Sequence, residues 1–401
     1  MSERTIIDDL LPEDMLAGFR ARAPRYDAEN AFFVEDLAEL RESGYLAAPV
    51  PAESGGAGLS LAELLAAQRR LAAHAPATAL GVNMHLVWVQ VARFLHDRLT
   101  GADGEGPLDR VLREAVAGEV FAFGISEAGN DAVLLDSRSS AEPHADGGYV
   151  VTGTKIFTTL SPVWTRLGVH ARVVAEGEPR LVFGFVRRDG AALRNPVAQP
   201  AEGSISHPGE WNPLGMRATQ SYTTRLEGVR IEADDIAAEM APYDGSDPLV
   251  LAIFSSFSLL TAAVYAGIAD RALELATEAA GRLVPQPDGS EAPRLDDPDV
   301  ASRLTAAVLE HRGSLDALEL LARDVDERRA RDDWFLALAA ARNRVTDEAR
   351  SAVDVAMRLV GASGFQADSE LARLYRDVLA GMFHPSSSRA LAKTVRGSLA
   401  L

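Results

Sequence analysis

The sequence predicts an α+β fold that is mostly α: an N-terminal helical domain over residues 1–119, a central β-barrel or small sandwich over 120–236, and a C-terminal helical bundle over 237–401. Three observations carry this. Ala and Leu dominate both ends of the chain, β-branched residues gather in the middle third, and the apolar spacing changes twice, from helical to alternating and back. At 401 residues, 47% hydrophobic and 24% charged, the chain has room for two or three domains around a sizeable core.

Residues 12 to about 115 read as helices. Phe33, Leu37, Leu40 and Leu46 recur at roughly helical spacing, with Gly44 where a helix would stop. Pro49-Val50-Pro51 and Ser54-Gly55-Gly56-Ala57-Gly58 form an irregular loop, and Ser60 to Glu63 resembles a capping box opening a helix over 62–74, followed by another over 85–99. Tyr149–Gly153, Leu181–Val186 and Tyr222–Leu226 have strand character, with Asp146-Gly147-Gly148 as a hairpin-like turn before the first. Long Ala-rich helices follow over 249–282, 300–324, 330–360 and 369–382, which suits a bundle; the Pro/Asp-rich stretch 285–299 is expected to be a loop.

Composition excludes several functions. A formal charge of −18 does not suit a surface for phosphate backbones, and lysine occurs only at Lys155 and Lys393, so neither nucleic acid nor an anionic membrane is an expected partner. Without cysteine there is no disulfide, thiolate nucleophile or Cys-based metal site. His74, His85, His96, His144, His170, His207 and His311 show no metal-ligand spacing and read as scattered surface or core residues. Met1 to Leu11 carries Glu3, Asp8 and Asp9 with no long apolar core, unlike a signal peptide. The apolar run Pro248–Ile268 is interrupted by Ser255, Ser256, Ser258 and Thr261 and suits a buried helix better than a bilayer span. A cytoplasmic protein is expected.

Five segments, in order, give the chain a more specific character: Gly44-Tyr45-Leu46 with Pro51 to Gly58; Phe123-Gly124-Ile125-Ser126-Glu127-Ala128-Gly129-Asn130-Asp131; Gly153-Thr154-Lys155-Ile156-Phe157-Thr158-Thr159; Leu214-Gly215-Met216-Arg217-Ala218-Thr219; and Leu359 to Phe365 through Leu374-Tyr375-Arg376-Asp377. Together they resemble the acyl-CoA dehydrogenase superfamily across almost the whole chain, matching its "GGaG" loop, "TEPGAGSD", "GxKxWIT", "LGxRxS" and "GGxGY…LYRD" patterns. The resemblance implies a four-helix C-terminal bundle behind a β-barrel, with a flavin between them. FAD is the implied cofactor, with FMN or a loosely bound reduced flavin as variants. It also implies a homotetramer or homodimer in which the Gly361 region serves a neighbouring subunit. Carried over by position, Phe123, Ile125 and Ser126 meet the pyrimidine edge of the ring, Phe157 replaces the usual Trp beside it, Thr159 reaches N5, and Gly361 and Gly364 let the cofactor pass close to backbone. Asn130 and Ser386 are the candidates for substrate contact, although Ser386 to Ser388 would equally cap the last helix.

The resemblance breaks at the base. The family places its catalytic Glu eight residues after the Asp of "RD", where this chain has Pro385; the alternative position on the first bundle helix falls near Phe257, again without a carboxylate. His384 stands there instead, as in the flavin monooxygenases built on the same fold, and is the candidate catalytic residue. An imidazole titrating near 6.5 would serve as acid or base around neutral pH, oriented by Ser386 or a backbone carbonyl. The family's "R-x-QFG", which supports the adenine half of FAD, is reduced to Arg282, consistent with looser FAD or exchange with a flavin reductase or other electron partner. Three functions are therefore open. The first is an oxidoreductase on an acyl thioester of CoA or a carrier protein. The second is a monooxygenase hydroxylating carbon or nitrogen of a small molecule, and the third is a non-catalytic flavoprotein subunit.

Overall fold

The computed structural model describes residues 5–101, 104–188, 200–385, 390–392 and 395–396. Six helices come first: α1 (Ile6–Leu10), α2 (Glu13–Glu29), α3 (Val34–Glu42), α4 (Leu61–His74), α5 (Pro76–Leu99) and α6 (Asp109–Val116). Ser60 and Glu63 form the expected capping box on α4. The next two free amides, on Leu61 and Ala62, are taken by the Asp326 carboxylate of the bundle at 2.9 and 3.0 Å. α5 starts nine residues before the expected His85, because Pro76 at its first position supplies a ready helical φ. That extra length carries Leu80 and Met84 towards the middle of the molecule.

Eight strands follow: β1 (Phe121–Gly124), β2 (Ser140–Pro143), β3 (Tyr149–Thr158), β4 (Arg166–Val173), β5 (Leu181–Arg187), β6 (Ser204–Ser206), β7 (Tyr222–Ile231) and β8 (Ile236–Met240). They form one mixed, mainly antiparallel sheet in the order β6-β7-β3-β2-β4-β5-β8, with β1 running parallel beside β4. The expected closed barrel is not formed. Among the described residues β6 pairs only with β7 and β8 only with β5, and β6 is three residues long, too short to bridge the opposite edge. The turn at Gly147 and Gly148 joins β2 to β3 with positive φ at both glycines, as the sequence predicts.

The bundle consists of α7 (Pro248–Ala280), α8 (Pro298–Asp326), α9 (Trp334–Val360) and α10 (Glu370–Val378). α10 tightens into a 3₁₀ turn over Leu379–Phe383 instead of running on to Met382. The stretch expected to be a loop contains a small hairpin, β9 (Leu283–Pro285) with β10 (Glu291–Pro293). α7 is long and apolar enough to cross a membrane, but it packs against α4, α5, α8 and α9 and is mostly buried in the protein. It is the axis of the helical core, and its Ser255, Ser256, Ser258 and Thr261 are buried among neighbouring helices.

One buried group in this core was not legible in the histidine spacing. His311 of α8 places Nε2 2.9 Å from Asp270 Oδ1 on α7 and Nδ1 3.1 Å from Glu348 Oε2 on α9. Burial alone would lower its pKa, but the two carboxylates outweigh that and lift it to about 9. With a folded pKa above the unfolded value near 6.5, its contribution to stability is complete below ~6.5 and disappears as pH rises through about 9. Thermal unfolding of the protein and of His311→Gln should therefore differ by about 2–4 °C or more at pH 6 and converge by pH 10. A constant difference across that range would show that His311 is neutral in the fold.

Candidate active site

The site is assembled around a buried carboxylate. Glu127, in the turn after β1, accepts hydrogen bonds from the backbone N–H groups of Arg138 and Ser139, from the Ser137 and Ser139 hydroxyls, and from the Asn130 amide. Lys155 of β3 reaches it at 2.7 Å, both side chains being buried, and also donates to the His170 carbonyl at 2.7 Å. Burial pushes the Glu127 pKa up, but the Lys155 charge and these hydrogen bonds prevail and hold it well below the carboxylate range. The Ile156 N–H then bonds the Ser126 carbonyl at 2.9 Å, so the turn and the strand fix each other.

Directly after Lys155 the β3–β7 register slips, and Phe157 takes φ 54°. A bulky residue in the left-handed region is strained, by roughly 1–3 kcal/mol, and such strain collects at working sites. The bulge leaves Phe157 53% exposed, its ring edge-on to Trp211 at 6.5 Å. Two residues on, the Thr159 hydroxyl lies 2.7 Å from that of Ser221, which lies 2.8 Å from that of Thr219.

The segment Leu214-Gly215-Met216-Arg217 is clamped to α10. The Met216 N–H bonds Asp377 Oδ1 at 2.5 Å, and a Cβ on Gly215 would meet the Arg376 carbonyl oxygen at 2.2 Å, so only glycine allows the approach. Arg376 pairs with Asp27 of α2, whose carbonyl accepts from Arg217 Nε at 2.8 Å. Burial lifts the Asp377 pKa to about 6.

His384 follows the 3₁₀ turn. Its Nε2 lies 2.7 Å from the Tyr265 hydroxyl of α7, and no other partner occurs among the described residues. Among the described residues no backbone carbonyl takes the partner role expected from the sequence, and Tyr265 does. Ser386 lies outside the described residues, and Tyr265 gets close because Gly381 leaves room: a Cβ there would lie 3.0 Å from the tyrosine ring. Burial, reinforced by the nearby Arg342 charge, lowers the His384 pKa to about 3, so the imidazole is neutral and does not titrate near neutrality as expected. Burial also raises the Tyr265 phenol, which keeps its proton. Tyr265 has no other acceptor among the described residues, so it donates to Nε2, leaving the histidine hydrogen on Nδ1.

These pieces surround a cavity of about 430 Å³, in the range of small-molecule sites. Its sheet-side wall holds Phe123, Ser126, Phe157, Thr159, Thr219 and Ser221; its helical wall includes Leu80, Met84, Phe257, Leu379, Met382 and His384; Trp211, Pro213 to Met216 and Arg376 also line it. Phe123 and Phe257 stack across the junction at 5.4 Å. Among the described residues no carboxylate lines the cavity. Of the residues singled out in the sequence, Phe123, Ser126, Phe157, Thr159 and His384 are brought together here. Ile125 is instead fully buried in the core. Asn130 is occupied within the turn by Glu127 and the Asp136 carbonyl, and Gly361 and Gly364 lie beyond the cavity lining at the end of α9. Leu80, Met84, Trp211, Ser221 and Tyr265 were not anticipated. For Tyr265 there was a signal: one polar-tipped aromatic inside a buried apolar helix needs a partner.

The donor set suits a flavin, since an apolar slot with hydroxyls along one wall matches a ring that carries its polar atoms on one edge. Comparison with known proteins agrees. The acyl-CoA dehydrogenase N-terminal domain model matches residues 15–98 and the C-terminal domain model residues 259–389. The chain is 29% identical over 387 residues to YdbM of Bacillus subtilis, which carries an acyl-CoA dehydrogenase name, covering 93% of this chain and 91% of that one. It is 30% identical over 391 residues to L-evernosamine nitrososynthase of a Micromonospora species, covering 95% and 86%. The structure of KijD3 with FMN and a dTDP-linked 3-amino-4-keto sugar superposes with a TM-score of 0.80 at 27% identity, covering 99% of this chain and 94% of that one.

The fold and the site define a flavin-dependent oxidoreductase of the acyl-CoA dehydrogenase type. The chain belongs to the acyl-CoA dehydrogenase family, in a form without the usual glutamate. If Phe157 borders the flavin, Phe157→Asp should abolish retention of flavin through gel filtration, by setting an unpaired charge against the ring. Undiminished retention with normal folding would place the flavin elsewhere.

Proposed function

We propose that the protein is a flavin-dependent monooxygenase acting on an uncharged small molecule. The observation carrying this reading is the absence of a carboxylate from the described cavity lining, combined with a neutral His384 where the family's base belongs. Removing an α-proton from an acyl thioester requires a base matched to neutral pH. An imidazole with a pKa of about 3 is a poor one. As a neutral donor it suits a different task, holding an oxygen or nitrogen acceptor at Nδ1.

Reduced flavin, when bound, supplies the activation of dioxygen and the transfer of one oxygen atom. The chain's residues provide the setting. Ser126 and Thr159 hold the polar edge of the ring and Phe157 borders it. Buried Leu80, Met84 and Phe257 make the opposite wall apolar. His384 Nδ1 orients the substrate, with Tyr265 holding the tautomer. Arg376 is committed to Asp27 and no carboxylate is among the described lining residues, so neither a phosphate nor an ammonium finds a free counter-charge there. Similarity to a nitrososynthase, a name that denotes an oxygenated nitrogen, supports oxygen transfer. FMN or FAD delivered reduced by a partner reductase fits the loss of "R-x-QFG". We further propose a cytoplasmic homotetramer or homodimer. Phe365, 80% exposed beside Gly361 and Gly364, offers an apolar contact where the resemblance brings in a neighbouring subunit.

The test supplies the protein with reduced flavin and ¹⁸O₂ alongside the neutral substrates indole and 2-naphthol, with an amino sugar as the charged comparison, and separately supplies butyryl-CoA with an artificial electron acceptor. Incorporation of one labelled oxygen is expected, reduced ~100- to 1,000-fold in His384→Ala. Turnover should show no histidine-like ionisation between pH 6 and 8. Desaturation of butyryl-CoA without oxygen incorporation would replace this reading with the acyl-thioester one.

A further inference from the structure

We propose that Thr219 and Ser221 set the hydrogen-bond polarity of Thr159 so that the site selects reduced over oxidised flavin. The inference rests on the flavin placement proposed above, with N5 facing Thr159. Three hydroxyls form a row: Thr219 Oγ1 donates to the Met216 carbonyl at 2.9 Å, Ser221 Oγ lies 2.8 Å from Thr219 Oγ1, and Thr159 Oγ1 lies 2.7 Å from Ser221 Oγ. All three residues are buried to within a few per cent and line the cavity.

Each hydroxyl has a single hydrogen. Thr219 spends its own on Met216, so the contact with Ser221 is made with the hydrogen of Ser221. Ser221 then has none left for Thr159, and that contact uses the hydrogen of Thr159. The row therefore has one direction, from Thr159 to the Met216 carbonyl, in which every bond is made. Its end leaves Thr159 presenting lone pairs to the cavity.

N5 of the oxidised ring has only a lone pair, whereas reduction places a hydrogen on it. An accepting Thr159 meets N5–H of the reduced ring with a hydrogen bond and the oxidised ring with two facing lone pairs. Turning the row round to donate to oxidised N5 would sacrifice the bond to Met216. One hydrogen bond of difference corresponds to a preference on the order of tenfold for the reduced form. That preference would let the protein draw flavin from a reductase and release it after oxidation. Ser221 and Thr219 are positioning residues in this scheme.

The experiment measures the dissociation constants of FMN and FAD, oxidised aerobically and reduced anaerobically, by fluorescence quenching and calorimetry, with the midpoint potential of the bound flavin. The unaltered protein should hold the reduced form about tenfold or more tighter, raising the midpoint by about 30 mV for each tenfold. Ser221→Ala and Thr219→Val each free Thr159 to donate, and should bring the ratio down towards one and the potential down with it; Ser221→Thr keeps the hydroxyl and should retain the preference. Equal affinity for the two forms in the unaltered protein overturns the inference. So does an unchanged ratio in Ser221→Ala and Thr219→Val when Thr159→Val alters it. If Thr159→Val changes neither affinity nor potential, the flavin does not meet Thr159, and the placement fails together with the inference.

Discussion

The site depends first on the ion pair between Glu127 and Lys155. Taking two charges out of water is costly, and the cost is met only where each remaining donor and acceptor finds a partner. Here the carboxylate has backbone amides and serine hydroxyls, and the ammonium has the His170 carbonyl. Breaking such a pair typically costs about 3–5 kcal/mol, so the turn after β1 has little freedom to refold elsewhere. Ser126 precedes Glu127, and Phe157 follows Lys155 by two residues. The pair thus fixes two cavity residues from behind without entering the cavity. It also gives the strain at Phe157 its support, since a bulge next to an anchored lysine cannot relax by sliding the strand.

A second constraint joins the three parts of the chain. Asp377 on α10 holds the Met216 amide, Gly215 presses against the α10 backbone, and Asp27 on α2 is shared between Arg376 and Arg217. The "LGxR" and "RD" motifs, whose Met216 and Asp377 are 161 residues apart in the chain, are two halves of one contact. It sets the depth of the cavity, because the 3₁₀ turn carrying Met382 and leading to His384 begins where α10 ends.

The parts legible in the sequence were those governed by local patterns. Helix periodicity, the Ser60–Glu63 cap and the glycine turn before β3 depend on neighbours within a few residues, and the structure has them. The motif residues Phe123, Ser126, Phe157 and Thr159 were legible as a set because Lys155 and Glu127, which bring them together, lie in the same motifs. Barrel closure was not legible, since it turns on whether β6 and β8 meet, a question of edge geometry that alternation does not encode. Tyr265 and Ser221 were missed for a related reason. Their roles are set by what stands opposite them in space, His384 from 119 residues further on and Thr159 from 62 residues earlier. The pKa of His384 also depended on burial that no motif reveals.

The replacement of a carboxylate by histidine changes more than one side chain. A glutamate facing the flavin would make the helical wall anionic and require a cation or water to accompany it. With Pro385 and His384 in that region, the described lining holds neutral hydrogen-bonding groups, and its one cation is paired with Asp27. The nearest charged groups are held in pairs or hydrogen bonds: Glu127 with Lys155 and Asp377 with the Met216 amide behind the lining, and Arg376 at the lining with Asp27, where they fix geometry instead of reacting. Direction inside the cavity is then supplied by hydroxyl and imidazole hydrogens, each assigned by its neighbours: Tyr265 places one on His384 Nδ1, and Met216 draws the Thr159 row the other way. A neutral imidazole on the helical wall faces a row of hydroxyls on the sheet wall, in a lining whose one cation is paired. Such a lining fits the neutral substrate proposed above, and it offers little to an enolate, whose negative charge would find no unpaired cation among the described lining residues.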